Sequence, residues 1–192
     1  WCDIILSQLV DNIDSSLITI NPNLKLIANY AVGFNNIDVV AATEKKIPVT
    51  NTPGVLTETT ADLTWALLMA ISRRIVEADK FMRSGKYEAW SPTLLMGSDI
   101  HNKTLGIIGF GRIGFALAKR AKGFGMKILY SDVEEKSFAS EVDASYTDMY
   151  SLLKQSDFVS LHPFYDEKSH HLISDRELKV MMPTSYLINV SR

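Results

Sequence analysis

The stretch Thr104-Leu105-Gly106-Ile107-Ile108-Gly109-Phe110-Gly111-Arg112-Ile113-Gly114 decides the architecture. Thr104–Phe110 reads as a buried strand, and Gly111–Phe124 as a helix with Ile113, Ala116, Leu117, Ala121 and Phe124 on one face. The three glycines at the junction each have a physical job: a tight turn, room for a pyrophosphate beside the backbone, and close packing of helix on strand. A helix that starts this way offers free N–H groups and the positive end of its dipole to phosphate oxygens. Asp132 stands eighteen residues past Gly114, at the end of the next apolar run, Lys127–Ser131. A carboxylate there accepts hydrogen bonds from ribose hydroxyls and repels a 2′-phosphate, so NAD is the expected cofactor. A kinase glycine loop does not fit, because no Val-Ala-x-Lys strand follows.

Working outward, the alternation of strand and helix continues on both sides. Downstream, a helix is expected near Thr147–Gln155 and a strand at Asp157–His162. A further helix is opened by the capping box Ser174–Glu177 and stopped before Pro183, and a last strand follows at Tyr186–Val190. Upstream, Thr57–Ser84 reads as one long helix, apolar nearly all round and so expected to be buried on both sides, with Gly85 as its C-terminal cap. Lys86–Lys103, with Pro92 and Gly97, reads as a long connection. Nearer the start, Ile4–Leu6, Leu24–Ala28 and Pro48–Asn51 read as strands, with a helix ending at Lys45-Lys46 before the third. The rhythm is that of an α/β fold with parallel sheets.

The bulk properties narrow the function classes. The 192 residues carry 20 Lys+Arg against 22 Asp+Glu, so no basic excess points to nucleic acid. The most apolar stretch, around Leu63–Ile71, is interrupted by Arg73 and Arg74, well short of the roughly 20 apolar residues of a membrane span. Cys2 is the one cysteine, which excludes a disulfide framework, argues against a cysteine metal site and fits a cytoplasmic setting. No metal is expected. Because the chain opens on Trp1 and not on Met, its natural N-terminus is expected to lie further upstream.

Several stretches, taken in order, resemble the D-isomer-specific 2-hydroxyacid dehydrogenases: Ala31-Val32-Gly33-Phe34-Asn35-Asn36-Ile37-Asp38, Asn51-Thr52-Pro53-Gly54, Thr59-Thr60-Ala61-Asp62, Gly109–Gly114 with Asp132, and Asn189-Val190-Ser191-Arg192. The resemblance implies a partial, flavodoxin-like substrate domain over residues 1–54. Residues 55–192 would then form a doubly wound, Rossmann-like NAD domain, C-terminally incomplete. It implies hydride transfer between NADH and a small 2-keto or 2-hydroxy acid of the glyoxylate or hydroxypyruvate type, in a homodimer. By the same resemblance Val32 and Gly33 offer backbone N–H groups to the substrate carboxylate. Arg192 clamps that carboxylate and polarises the keto oxygen, a task suited to a planar guanidinium. Thr52, Arg112, Ile113, Asp132, Pro163, Ser169, Val190 and Ser191 match cofactor-contacting positions of the family.

Two departures from the family pattern stand out. The loop after the Asp157–His162 strand usually reads His-x-Pro and then Thr-x-x-Thr, whereas here it runs His162-Pro163-Phe164-Tyr165-Asp166-Glu167-Lys168-Ser169. Family members also continue past the arginine to an acidic residue and a histidine that form the acid/base pair; the 192 residues do not include them. Among the histidines present, His101, His170 and His171 sit in polar connections, and His162 lies nearest the expected cofactor site. Two other readings share these residues: a non-catalytic NAD-sensing corepressor-like module, and a structural fragment that dimerises through the Thr57–Ser84 helix.

Overall fold

The computed structural model describes residues 2–167 and 169–191. It divides into two compact units, Trp1–Leu56 with Phe164–His170, and Thr57–Pro163 with His171–Arg192.

The first unit holds three parallel strands, β1 (Ile4–Ser7), β2 (Leu26–Asn29) and β3 (Val49–Thr50), in the order β1-β2-β3. Two short helices accompany them, α1 (Ser15–Ile20) and α2 (Val39–Glu44). Each is started by an aspartate: Asp14 accepts from Leu17 N–H and Asp38 from Ala41 N–H, the usual way of satisfying an orphan donor at a helix start. Helix α1 has no apolar period long enough to show in the sequence; its cap and the burial of Ile18 hold it. Ile13, Ile18, Leu24, Ile27, Ile37, Ala42 and Ile47 form one core.

In the second unit, five strands run parallel in the order β6-β5-β4-β7-β8: β4 (Thr104–Ile108), β5 (Lys127–Ser131), β6 (Ala144–Tyr146), β7 (Phe158–Leu161) and β8 (Tyr186–Asn189). Both faces are covered, and β4 shows why. Leu105 and Ile107 join Leu68, Leu117 and Ala121 of the helices α3 (Thr57–Ser72) and α5 (Arg112–Lys122) on one side. Ile108 joins Leu152 and Leu153 of α6 (Met149–Gln155) on the other. Gly106 also faces α6, where a Cβ would come within 2.4 Å of the Leu152 side chain. This alternation is the period of two that a strand imposes. The doubly wound α/β class expected from the sequence is the class observed.

Where the structure departs from expectation, long-range contacts are the cause. Thr57–Ser84 is two helices, α3 and α4 (Ile75–Arg83), separated at Arg73 and Arg74, the latter left-handed with φ 53°. The connection expected after the helix returns to break it: Ser98 N–H donates to Ser72 O at 2.8 Å, taking the carbonyl that the next helical turn would use. Gly97 makes this approach possible, since a Cβ there would sit 2.4 Å from Ser72 O. Nor is α3 buried all round. Ala61, Thr64, Leu68 and Ser72 face the core, while Leu63, Leu67 and Ile71 are 54, 42 and 47% exposed. Strand β6 and the 3-10 helix Ser137–Val142 before it have no counterpart in the sequence reading. Helix α7 (Asp175–Val180) begins at the expected capping box, Ser174 with Glu177.

Among the described residues no helix is long and apolar enough to cross a membrane. Nor, among them, do three His, Cys, Asp or Glu side chains gather where a metal ion could be held.

Candidate functional site

In the second unit the strand order reverses between β4 and β7, and the carboxyl ends of β4, β5, β7 and β8 lie along one edge because all are parallel. In open parallel sheets a crevice forms at that reversal. Gly109 ends β4 there with φ +88°, and a Cβ on it would stand 2.6–2.7 Å from the His162 carbonyl and Pro163 N. No side chain fits. Gly114, in the first turn of α5, is equally constrained: a Cβ would meet Gly109 O at 2.6 Å. Gly111 differs. It caps α5 with an ordinary extended backbone, φ −84°, and a Cβ would point into open space with no atom within 4 Å. Among the described residues no side chain caps helix α5, and its first turn holds no acid. Its N–H groups and dipole are therefore open to an anion beside Gly111. Arg112 is exposed and Ile113 half-buried at this start.

Asp132 follows β5 and is tied to the same turn: its Oδ2 accepts from Phe110 N–H at 2.7 Å and its Oδ1 from Val133 N–H at 2.7 Å. The Phe110 ring in turn stacks on Tyr130 at 4.2 Å, both fully buried. Carboxylate and glycine turn thus form one rigid piece. A carboxylate oxygen has two lone pairs, so each oxygen keeps acceptor capacity for a ribose hydroxyl. Lys136 Nζ approaches the same carboxylate at 3.6 Å.

His162 leaves β7 beside Gly109. Its Nε2 shares a hydrogen with Ser160 Oγ at 2.8 Å, and its Nδ1 is buried with no partner among the described residues. Burial pushes its pKa down to about 4, so about one molecule in a thousand holds the second proton at neutral pH. That makes it a poor proton donor. Val190 packs half-buried against the core beyond β8, and Ser191 donates from N and Oγ to Asn189 Oδ1.

The first unit holds the other sequence-selected residues. Gly33 O accepts from Asn29 Nδ2 at 2.8 Å and Val32 O from Asn51 Nδ2 at 2.6 Å, and Thr52 N–H donates to Ala31 O. Among the described residues neither Val32 N–H nor Gly33 N–H has an acceptor. With both carbonyls pinned, the two amides form a ready donor pair for a carboxylate. Sequence reasoning missed Asn29 and Asn51 as the pins: Asn29 ends β2 and is buried, and Asn51 follows β3 and is half-buried. Ser169 also lies in this unit, its N–H and hydroxyl both closed on Asp166. Arg192 lies outside the described residues. The structure therefore gathers Gly109, Gly111, Arg112, Ile113, Gly114, Asp132 and Pro163 at one turn, and holds Val32, Gly33 and Thr52 together in the other unit.

Residues 65–192 match the family model of the D-isomer specific 2-hydroxyacid dehydrogenase NAD binding domain. The chain belongs to the D-isomer specific 2-hydroxyacid dehydrogenases. As in that family's domain, the cofactor is NAD, and the open cradle at Gly111 together with the orphaned Nδ1 of His162 fits a bound dinucleotide. The chain is 51% identical over its whole length to a glyoxylate reductase of Korarchaeum cryptofilum, spanning 58% of that protein. It is 52% identical over 99% of its length to a glyoxylate reductase of Thermococcus litoralis, spanning 59% of it. Among solved structures, a D-lactate dehydrogenase of Aquifex aeolicus, complexed with NAD and lactic acid, superimposes with a TM-score of 0.92. That match is at 32% identity and covers all of this chain and 57% of the other. The chain thus spans less than two thirds of the length of these relatives.

Proposed function

We propose that the protein containing this chain reduces a small 2-keto acid of the glyoxylate or hydroxypyruvate type, and oxidises the matching 2-hydroxy acid in reverse. The observation that carries this is the Gly109–Gly114 turn locked to Asp132 through Phe110 N–H. The names of the two glyoxylate reductases support the substrate class. NADH supplies the hydride. Gly109, Gly111 and Gly114 with the start of α5 bind the diphosphate, flanked by Arg112, Ile113 and Pro163, and Asp132 takes the ribose hydroxyls. Thr52, Ser169, Val190 and Ser191 are further assigned contacts; of these, Ser169 would have to release Asp166 to donate.

The substrate carboxylate is assigned to Val32 N–H, Gly33 N–H and the Arg192 guanidinium, whose two-pronged contact fixes the keto carbon in one orientation. His162, neutral at pH 7, is not the proton donor. That role is assigned to the histidine of the acid/base pair that the family resemblance implies. The exposed Leu63, Leu67 and Ile71 face of α3 supports a homodimer, and a cytoplasmic setting fits the single cysteine.

The test is a titration of the whole protein with NADH, followed by nucleotide fluorescence, and then addition of glyoxylate, hydroxypyruvate or pyruvate while NADH consumption is recorded. Saturable NADH binding with turnover on at least one 2-keto acid is expected. Absence of NADH binding would sink the site assignment; binding without turnover on any of them would leave a nucleotide-sensing module.

A further inference from the structure

The loop between β5 and the 3-10 helix carries a cation that the cofactor reading does not use. Lys136 is only 18% exposed, unusual for a lysine. Its backbone N–H donates to the buried Tyr130 hydroxyl at 2.9 Å, which fixes the start of the side chain. Its Nζ then lies 2.8 Å from Glu134 Oε1 and 3.6 Å from Asp132 Oδ1. Asp132, 15% exposed, is equally held, by Phe110 N–H and Val133 N–H. Two opposite charges are therefore fixed side by side where the adenosine ribose is read. Glu134 is 73% exposed, so its hold on Lys136 is screened by water and salt while the pairing with Asp132 is much less so.

We propose that Lys136 is a specificity-determining residue of the cofactor site, whose ammonium offsets the rejection by Asp132 of a phosphate on the ribose 2′ position, so that NADPH is accepted as a weaker alternative to NADH. This rests on the assignment of Asp132 to the ribose. A lone carboxylate at that position repels a 2′-phosphate, and a nearby cation is the device by which such sites accommodate one. Both are present here, and Glu134, competing for Nζ, sets how much of the cation is free.

Equilibrium binding of NADH and NADPH, measured by fluorescence on the wild type and on K136Q, K136R and E134Q, tests this, with thermal melting as a check on folding. In K136Q the affinity for NADPH should fall about tenfold, the lower end for losing a charge-assisted contact in a partly hydrated site, while NADH stays within about twofold. K136R should keep NADPH binding. E134Q, a change at an exposed side chain that the fold tolerates, should strengthen NADPH binding and leave NADH unchanged. An equal loss of both cofactors in K136Q would mean that Lys136 only shapes the loop, and would overturn the proposal. So would an unchanged NADPH:NADH ratio in both K136Q and E134Q. If the wild type bound neither nucleotide, the cofactor-site reading itself would fall and the proposal with it.

Discussion

Replacing Gly111 with alanine separates folding from cofactor binding. The backbone there is extended and a Cβ meets nothing within 4 Å, so no strain arises inside the protein. What remains is the weaker capping of alanine relative to glycine, about 0.5–1 kcal/mol. For a domain of this size that is a fall of about 1–4 °C in Tm. Binding is another matter. The methyl group occupies the space through which the diphosphate reaches the open N–H groups of α5, and losing one charge-assisted hydrogen bond costs about 1.5–3 kcal/mol. NADH affinity should fall about 10- to 100-fold. Gly114→Ala gives the contrast. Its methyl would stand 2.6 Å from Gly109 O and 3.0 Å from the Ile107 side chain. Overpacking of about 1–3 kcal/mol outweighs a helix-propensity gain of up to about 1 kcal/mol, so stability and binding fall together. The assays are thermal melting and NADH fluorescence titration on both variants. A stable Gly111→Ala protein that binds NADH within about twofold of wild type would refute the placement of the diphosphate at this turn.

Three further outcomes are expected. Asp132→Ala should weaken NADH binding by about 1.5–3 kcal/mol and narrow its preference over NADPH; equal use of the two cofactors before mutation would contradict the role given to Asp132. His162 titrates near 6.5 in the unfolded chain and about 4 in the folded one. The unfolded state therefore takes up the proton first as pH falls, and about 3 kcal/mol of stability present above pH 6.5 is lost by about pH 4. Urea unfolding across that range should show this slope, and His162→Gln should flatten it; equal slopes would place the burial penalty elsewhere. Leu67→Arg, on the exposed face of α3, should convert a dimer to a monomer in light scattering at micromolar protein, and a wild type already monomeric would refute the dimer.

How far the sequence could be read follows the range of the interactions involved. The Ser174–Glu177 box is built from neighbours in the chain, whereas the glycine turn and Asp132 were legible because they follow a fixed motif spacing, although Asp132 meets Phe110 N–H across 22 residues. The break at Arg73-Arg74 was hidden because Ser98, far along the chain, supplies the competing N–H. The same holds for one of the asparagine pins: Asn51 reaches back to Val32 O across a separation of 19 residues. The charge partner of Asp132 escaped notice because a lysine four residues on reads as an ordinary solvated side chain until its burial is seen. Strand β6, three residues long, pairs through Ile128, Leu129 and Tyr130 without an apolar run of its own.

The allotment of Phe164–His170 to the first unit has a consequence for biosynthesis. Phe164 lays its ring against Phe34 with centroids 5.5 Å apart, so the first unit gains this contact only after more than a hundred further residues have left the ribosome. At about 5–20 residues per second that is a wait of roughly 5–20 s, during which the apolar side of Phe34 has no lid. A nascent chain paused before residue 164 should therefore engage chaperones that bind exposed aromatic surface, and release from them should coincide with the emergence of this short return segment. Cutting the gene after residue 56 would produce the same unfinished species permanently.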